Sequence, residues 1–100
     1  MSSPDQLDVR EIRPGCWRLE FPFNGEFIEY LKQRVPWQDR SYDSATHFWE
    51  IRDANNKYMA AIEGVGVQKF TYATRIFWRE GKQVIRNLQS GHESIQENLF

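Results

Sequence analysis

The spacing of apolar residues changes several times within residues 17–63, and this pattern constrains the fold more than any other feature of the sequence. Alternating apolar and polar side chains over 17–21 predict a strand, whereas the apolar residues within 27–35 share one face of a helix. An aromatic segment at 46–52 predicts another strand, and an apolar stripe at 58–62 predicts a second helix. This order predicts a compact strand–helix–strand–helix unit.

The residue types at the ends of the two predicted helices fit these boundaries. Asn24 is a suitable N-cap, and Pro36 ends the first helix because the residue before a proline disfavours the α conformation. Asp53 can cap the second helix, and Gly64 fits the position that follows its last turn. Residues 65–67 are then expected to form a glycine-containing link to the next strand.

Two predicted hairpins flank this unit. Residues 9–21 alternate around a Pro-Gly pair at 14–15, in which proline fixes φ and glycine accepts a positive φ. Residues 70–88 alternate around a Glu-Gly pair at 80–81, which is a short turn signal. Both segments therefore predict antiparallel strand pairs.

These elements predict an α+β fold with a mainly antiparallel sheet of four to five strands and one or two helices packed on one face. Residues 1–6 are expected to be a disordered lead-in, residues 7–89 to form a single α+β domain, and residues 90–100 to form a C-terminal tail or short helix. Because 15% of the 100 residues are aromatic, one modest core can form without a disulfide or a metal.

The composition argues against several classes of protein. The single cysteine, Cys16, cannot form an internal disulfide, and residues 1–12 lack the basic start and apolar segment of a signal peptide. No apolar run approaches the roughly 18–20 residues of a membrane helix. We therefore expect a soluble protein without a membrane partner, which is cytoplasmic or, if its source has a nucleus, nuclear. A net charge of −1 gives no bulk support for nucleic-acid binding.

The sequence contains few residues in patterns that carry catalysis. His47 and His92 lie far apart, and with one cysteine they provide no zinc-ligand spacing. The glycines at 64–67 lack the spacing and the lysine of a phosphate-binding loop. We therefore expect no enzyme activity, with no catalytic residue, no metal and no small-molecule cofactor.

The aromatic residues exceed what a core of this size can bury. Periodicity assigns to the core Trp17, Phe21, Phe27, Leu31, Trp49, Ile51 and Tyr58. Harder to bury together are Trp37, Tyr42, Phe48, Phe77 and Trp78. Exposed aromatic side chains beside arginine or lysine hold single-stranded nucleic acids, and they also anchor protein interfaces.

Basic residues concentrate in residues 69–86, and the sheet face that the helices leave free is expected to carry Arg75, Phe77 and Arg79. The predicted nucleic-acid-binding residues are Arg75, Phe77, Arg79, Lys82, Arg40 and Trp37. The two arginines would contact phosphates, and Phe77 would offer a stacking surface for a base.

Short motifs within residues 17–63 also carry a family resemblance. They are Phe21-Pro22-Phe23, Leu31-Lys32, Tyr42-Asp43 and Trp49-Glu50-Ile51, followed by the helix signal at 58–62. This half of the chain resembles the HARP domain, which accompanies some Swi/Snf-type annealing helicases. The resemblance implies structure-selective DNA binding. These 100 residues contain no ATPase domain, so it implies no motor activity for them.

The loop at 37–45 is polar and contains the Tyr42-Asp43 pair of this resemblance. Asp43 is expected to turn the loop, and Tyr42 is expected to pack over the first helix. The leading hypothesis for the whole chain is a small non-enzymatic nucleic-acid-binding module for single-stranded or branched DNA. The alternative is a protein-interaction or inhibitor module in which the same aromatic and basic face docks a protein partner.

Overall fold

The protein is described by a computed structural model over residues 5–96, which form an α+β fold with one mixed sheet and two helices. The strands are β1 (Gln6–Arg13), β2 (Cys16–Glu20), β3 (Arg40–Asp43), β4 (Phe48–Arg52), β5 (Tyr72–Arg79), β6 (Lys82–Asn87) and β7 (Glu93–Gln96). The helices are α1 (Gly25–Arg34) and α2 (Met59–Lys69), with a 3₁₀ turn at Trp37–Asp39. Within the described range, neither helix is long and apolar enough to cross a membrane.

The strand order is β3-β4-β2-β1-β5-β6-β7, and β1 pairs with β5 in parallel while the other described pairs are antiparallel. The expectation of four to five mainly antiparallel strands was therefore wrong, since the sheet is mixed and has seven strands in residues 5–96. After β4, the chain passes β2 and β1 through α2 and enters the sheet again as β5 beside β1. This helical crossover allows β5 to run parallel to β1.

The two additional strands lie at the edges of the sheet. The polar loop expected at 37–45 contains β3, and the tail expected from residue 90 contains β7. Both strands have four residues and each pairs with one neighbour. Residues 1–4 of the expected lead-in and 97–100 of the expected tail lie outside the described residues.

Both predicted hairpins are confirmed. Gly15 has a φ of 79° in the turn between β1 and β2, where its carbonyl accepts a hydrogen bond from the Asp53 backbone N–H at 2.8 Å. Glu80 and Gly81 have φ values of 53° and 77° in the turn between β5 and β6. Two consecutive positive φ values are typical of a two-residue turn that follows the twist of its strands.

The first helix is also confirmed at both ends. The Asn24 side chain accepts a hydrogen bond from the Phe27 N–H at 3.0 Å, so it caps α1 as expected. The backbone is extended at Val35, immediately before Pro36. Phe27 and Leu31 on one face of α1 are fully buried, and they attach the helix to the sheet.

The second helix differs from the prediction at both ends. Asp53 is not its N-cap, because α2 begins at Met59 after Tyr58. The Asp53 carboxylate nevertheless accepts hydrogen bonds from the backbone N–H groups of Lys57, Tyr58 and Met59 at 2.6–2.8 Å. The helix then continues through Gly64 and ends at Lys69, so the expected end at Gly64 and link at 65–67 were wrong. Packing explains the difference, because α2 lies so close to β1 that a Cβ atom at position 66 would overlap Leu7 Cδ2.

Two alanine substitutions distinguish the effect of helix propensity on stability from the effect of the close contact between α2 and Leu7. Gly64→Ala places a methyl group where no atom lies within 4 Å, so it should raise the free energy of unfolding by about 1 kcal/mol. Gly66→Ala gains the same propensity but overlaps the buried Leu7 side chain. We therefore expect it to be less stable than Gly64→Ala by about 1–3 kcal/mol in urea unfolding. Equal urea midpoints for the two variants would show that α2 does not approach β1 this closely.

The core lies between the two helices and one face of the sheet. It contains Leu7, Val9, Trp17, Leu19, Phe27, Leu31, Val35, Trp49, Ile51, Met59, Ile62, Phe70 and Ala73. Five of the seven predicted core residues belong to it, and Phe21 and Tyr58 pack against it while partly exposed. Because Ala73 is buried beneath the helices, the alternate residues of β5 point to the same side of the sheet.

Candidate functional site

The predicted binding residues fall into two groups on different parts of the sheet. Trp37 lies in the 3₁₀ turn before β3 and Arg40 is the first residue of β3, whereas the four predicted residues at 75–82 lie on β5 and β6. Three strands separate β3 from β5, which corresponds to about 19 Å at the usual strand spacing. The structure therefore forms two surfaces from these residues.

The first surface is a groove between α1 and the β3–β4 edge of the sheet, with a volume of about 810 Å³. We call it the aromatic groove, and it is lined by Phe21, Phe23, Ile28, Lys32, Trp37, Arg40, Ser41, Tyr42, His47 and Trp49. It forms because Pro36 ends α1, and the 3₁₀ turn at Trp37–Asp39 then returns the chain to the sheet edge as β3. Trp49 of β4 lies opposite Tyr42 of β3 in the register.

Three large aromatic side chains of the groove are exposed. The exposed fraction is 88% for Phe23, 73% for Trp37 and 47% for Tyr42. Tyr42 is held in place, because its ring lies 4.8 Å from the Trp49 ring and its hydroxyl lies 2.9 Å from His47 Nδ1. Exposed rings at the rim of a groove leave apolar faces on which a planar ligand can stack.

The Tyr42-Asp43 pair fulfils one of its two expected roles. Asp43 turns the chain, because its side chain accepts a hydrogen bond from the Ala45 N–H and its carbonyl accepts one from the His47 N–H. Tyr42 contacts Trp49 of the neighbouring strand, since residue 42 belongs to an edge strand beside the groove. Its packing over the first helix stays a prediction.

The charge of the aromatic groove is positive. Among the described residues that line it, the side chains with a full charge are Lys32 and Arg40, and none is acidic. Arg40 Nη1 donates to the Val35 carbonyl at 2.9 Å, which uses one of the five N–H donors of its guanidinium. This bond fixes the guanidinium beside the end of α1.

The second surface lies on β5 and β6, beyond the part of the sheet that the helices cover. Three guanidiniums, those of Arg75, Arg79 and Arg86, lie 5.1–5.5 Å from the centre of the Phe77 ring. We call these four residues the arginine cluster. Phe77 is half-buried, and its ring already contacts three cations of the chain. Lys82 is exposed and lies opposite Arg79 in the register.

The arginine cluster lies on the helix side of the sheet and not on the face that the helices leave free. Arg75 forms an ion pair with Glu63 of α2 at 3.4 Å, so the expectation that the free face carries Arg75, Phe77 and Arg79 was wrong. The register explains the difference. Residues 73, 75, 77 and 79 share one side of β5, and Ala73 of that set is buried beneath the helices.

Two acidic side chains accompany the arginine cluster. Burial raises the pKa of the Glu63 carboxyl, and Arg75 partly opposes that rise. Hydrogen bonds from Arg79 and Arg86 lower the pKa of Glu93 from its ordinary value of 4.5 to about 2. The stabilisation that Glu93 provides is therefore present above pH 4.5 and is lost as the pH falls towards 2.

Eight of the ten described residues that line the aromatic groove were absent from the predicted site, and Phe23, Lys32 and Tyr42 are among them. A signal for Phe23 and Lys32 was present, because Phe21-Pro22-Phe23 and Leu31-Lys32 are among the motifs that resemble the HARP domain. The motifs at Tyr42 and Trp49 contribute to the same groove. The short motifs of residues 17–63 thus converge on one surface.

Within residues 5–96, no group of three or more His, Cys, Asp or Glu side chains is placed to hold a metal ion. Comparisons with protein-family models, with curated proteins and with solved structures found no match. The resemblance to the HARP domain therefore stays a prediction from the short motifs themselves.

Proposed function

We propose that this protein is a non-enzymatic nucleic-acid-binding module that holds single-stranded segments of DNA, including those of branched DNA, in the aromatic groove. One observation carries the proposal. The groove combines three exposed aromatic rings with a lining in which the charged side chains among the described residues are cationic. Every base has an apolar face and every nucleotide has a phosphate, so this combination matches a single strand.

The parts of the groove correspond to the parts of a nucleotide. Phe23, Trp37 and Tyr42 provide faces for bases, while Lys32 and Arg40 provide donors for phosphates. The volume of about 810 Å³ lies within the range of small-molecule sites, which is roughly 300–1,000 Å³. Bases paired within a duplex are stacked on each other, so we expect the groove to prefer unpaired strands.

Local charge favours DNA over a protein partner for this surface. The net charge of −1 does not attract DNA to the chain as a whole, but the groove places two cations and no acidic group among its described lining. A protein-interaction module remains the alternative function, because exposed tryptophan and tyrosine also anchor peptides. The resemblance to the HARP domain supports the DNA proposal.

A binding titration across DNA forms tests the proposal. Labelled oligothymidine, a duplex and a fork are titrated with the intact protein by fluorescence anisotropy at about 50 and about 200 mM salt. We expect the oligothymidine and the fork to bind at least about tenfold more tightly than the duplex. Absence of binding to all three forms at low salt would reject the proposal and leave the protein-interaction alternative.

Two lysine variants locate the phosphate contacts in the same assay. Lys32→Gln removes a cation from the aromatic groove, so the slope of log K against log salt for oligothymidine should flatten by about 0.7. Lys82→Gln removes an equal charge beside the arginine cluster and should leave the slope unchanged. If Lys82→Gln changes the slope more than Lys32→Gln does, DNA binds at the second surface instead.

A further inference from the structure

Two guanidiniums of the arginine cluster, those of Arg79 and Arg86, bind the carboxylate of Glu93 together. Arg79 donates to both carboxylate oxygens, with Nη1 3.0 Å from Oε1 and Nη2 3.2 Å from Oε2. Arg86 donates from Nε at 2.8 Å and from Nη2 at 2.6 Å, both to Oε2. One carboxylate therefore accepts four charge-assisted hydrogen bonds from two guanidiniums, a pattern that also suits a phosphate group.

The strand that supplies this carboxylate has few other attachments. β7 has four residues at the edge of the sheet, and its backbone pairs with β6 alone. Its apolar side chain Ile95 is 53% exposed, so little apolar burial holds the strand in place. Short edge strands with few buried contacts are among the first parts of a protein to open.

The two arginines, in contrast, are held independently of β7. Arg79 and Arg86 lie on β5 and β6, which pair with each other over six residue positions. Both guanidiniums also contact the ring of Phe77, which packs against the core. Departure of β7 would therefore leave two cations close together without the carboxylate that they bind here.

We propose that Arg79 and Arg86 form a binding site for a phosphate group, and that Glu93 occupies this site as an internal competitor until β7 leaves the sheet edge. The site takes either inorganic phosphate or a phosphodiester of a nucleic acid, since both present the same oxygens. This inference does not rest on the aromatic groove. Arg75 adds positive charge nearby, although Glu63 pairs with it.

Glu93→Gln tests the competition, because the amide keeps the shape of the side chain and removes the charge that holds the two guanidiniums. Inorganic phosphate is titrated into the intact protein while the arginine Nε–H signals are recorded by NMR. We expect phosphate to bind Glu93→Gln about tenfold more tightly than the parent, with shifts at Arg79 and Arg86. Glu93→Asp, which keeps the charge on a shorter side chain, should be intermediate.

Glu20→Gln is the matched control, since it removes the same charge from an exposed position on β2. We expect its phosphate affinity to stay within about twofold of the parent, because no specific pair is lost. If Glu93→Gln binds phosphate no better than Glu20→Gln, the proposal is wrong. Partial loss of β7 in Glu93→Gln would not explain such a result, because Arg79 and Arg86 remain on the paired strands β5 and β6.

The same variants are then titrated with oligothymidine in a Trp37→Ala background, which removes one of the exposed rings of the aromatic groove. Tighter binding of oligothymidine by Glu93→Gln identifies a phosphodiester as a ligand, with a salt slope steeper by about 0.7–1.4. Tighter binding of inorganic phosphate alone identifies free phosphate. If neither ligand binds more tightly, the site does not exist.

Discussion

Trp49→Ala is expected to lower the free energy of unfolding by about 3–5 kcal/mol. Trp49 is 8% exposed on β4, which pairs with β2 on one side and with β3 on the other. Its removal leaves a cavity beneath the helices and also deprives Tyr42 of one of its two ring contacts. A domain of this size has a total stability of about 5–15 kcal/mol, so urea unfolding should show a large shift.

Trp78→Ala provides the control for this prediction. The residue type is the same and the position is again a strand, but Trp78 is 57% exposed. Its truncation should therefore cost less than about 1 kcal/mol. Similar urea midpoints for the two variants would mean that the buried face of β4 has been assigned wrongly.

Trp37→Ala should weaken the binding of oligothymidine by about 1–3 kcal/mol, which is the usual value of one base stacked on an aromatic ring. Because Trp37 is 73% exposed, we expect the stability of the fold to change little. The loss should thus appear in the dissociation constant alone, measured by anisotropy at constant salt.

Trp78→Ala is also the control for Trp37→Ala, because it removes an exposed tryptophan from the face of the sheet that the helices leave free. We expect its affinity for oligothymidine to stay within about twofold of the parent. Equal losses in the two variants would indicate non-specific contact of DNA with exposed rings and would contradict a site in the groove.

The parts of the fold that the sequence predicted correctly depend on local signals. The Pro14-Gly15 turn, the Glu80-Gly81 turn and the Asn24 cap are each decided by residues that are close in sequence. The strands beside these turns alternate as expected, although the side of β5 that faces the helices is the opposite of the expected one. These elements form most of the sheet and all of α1.

The elements that the sequence did not predict depend on distant partners. The segments at 40–43 and 93–96 are polar, and they become strands because β4 and β6 offer unpaired edges. The extension of α2 past Gly64 depends on its contact with Leu7, more than fifty residues earlier in the chain. Pairing and packing of this kind leave little trace in a local pattern.

The candidate site was predicted only in part for the same reason. The exposure of Trp37 and Tyr42 follows from the excess of aromatic residues over what the core can bury. Sequence does not reveal that Phe23 and Lys32 meet them across α1 and β3. Nor does it reveal that Glu93 folds back onto Arg79, since that contact requires β7.

The most direct measurement follows the indole N–H signals of the four tryptophans by NMR while oligothymidine is added to the intact protein. Trp37 and Trp49 line the aromatic groove, Trp17 lies in the core beside Arg75, and Trp78 lies on the face that the helices leave free. We expect the signal of Trp37 to shift most, that of Trp49 to follow with the same saturation, and that of Trp78 to stay in place. A shift of Trp78 with Trp37 unmoved would contradict the assignment of the groove as the DNA site.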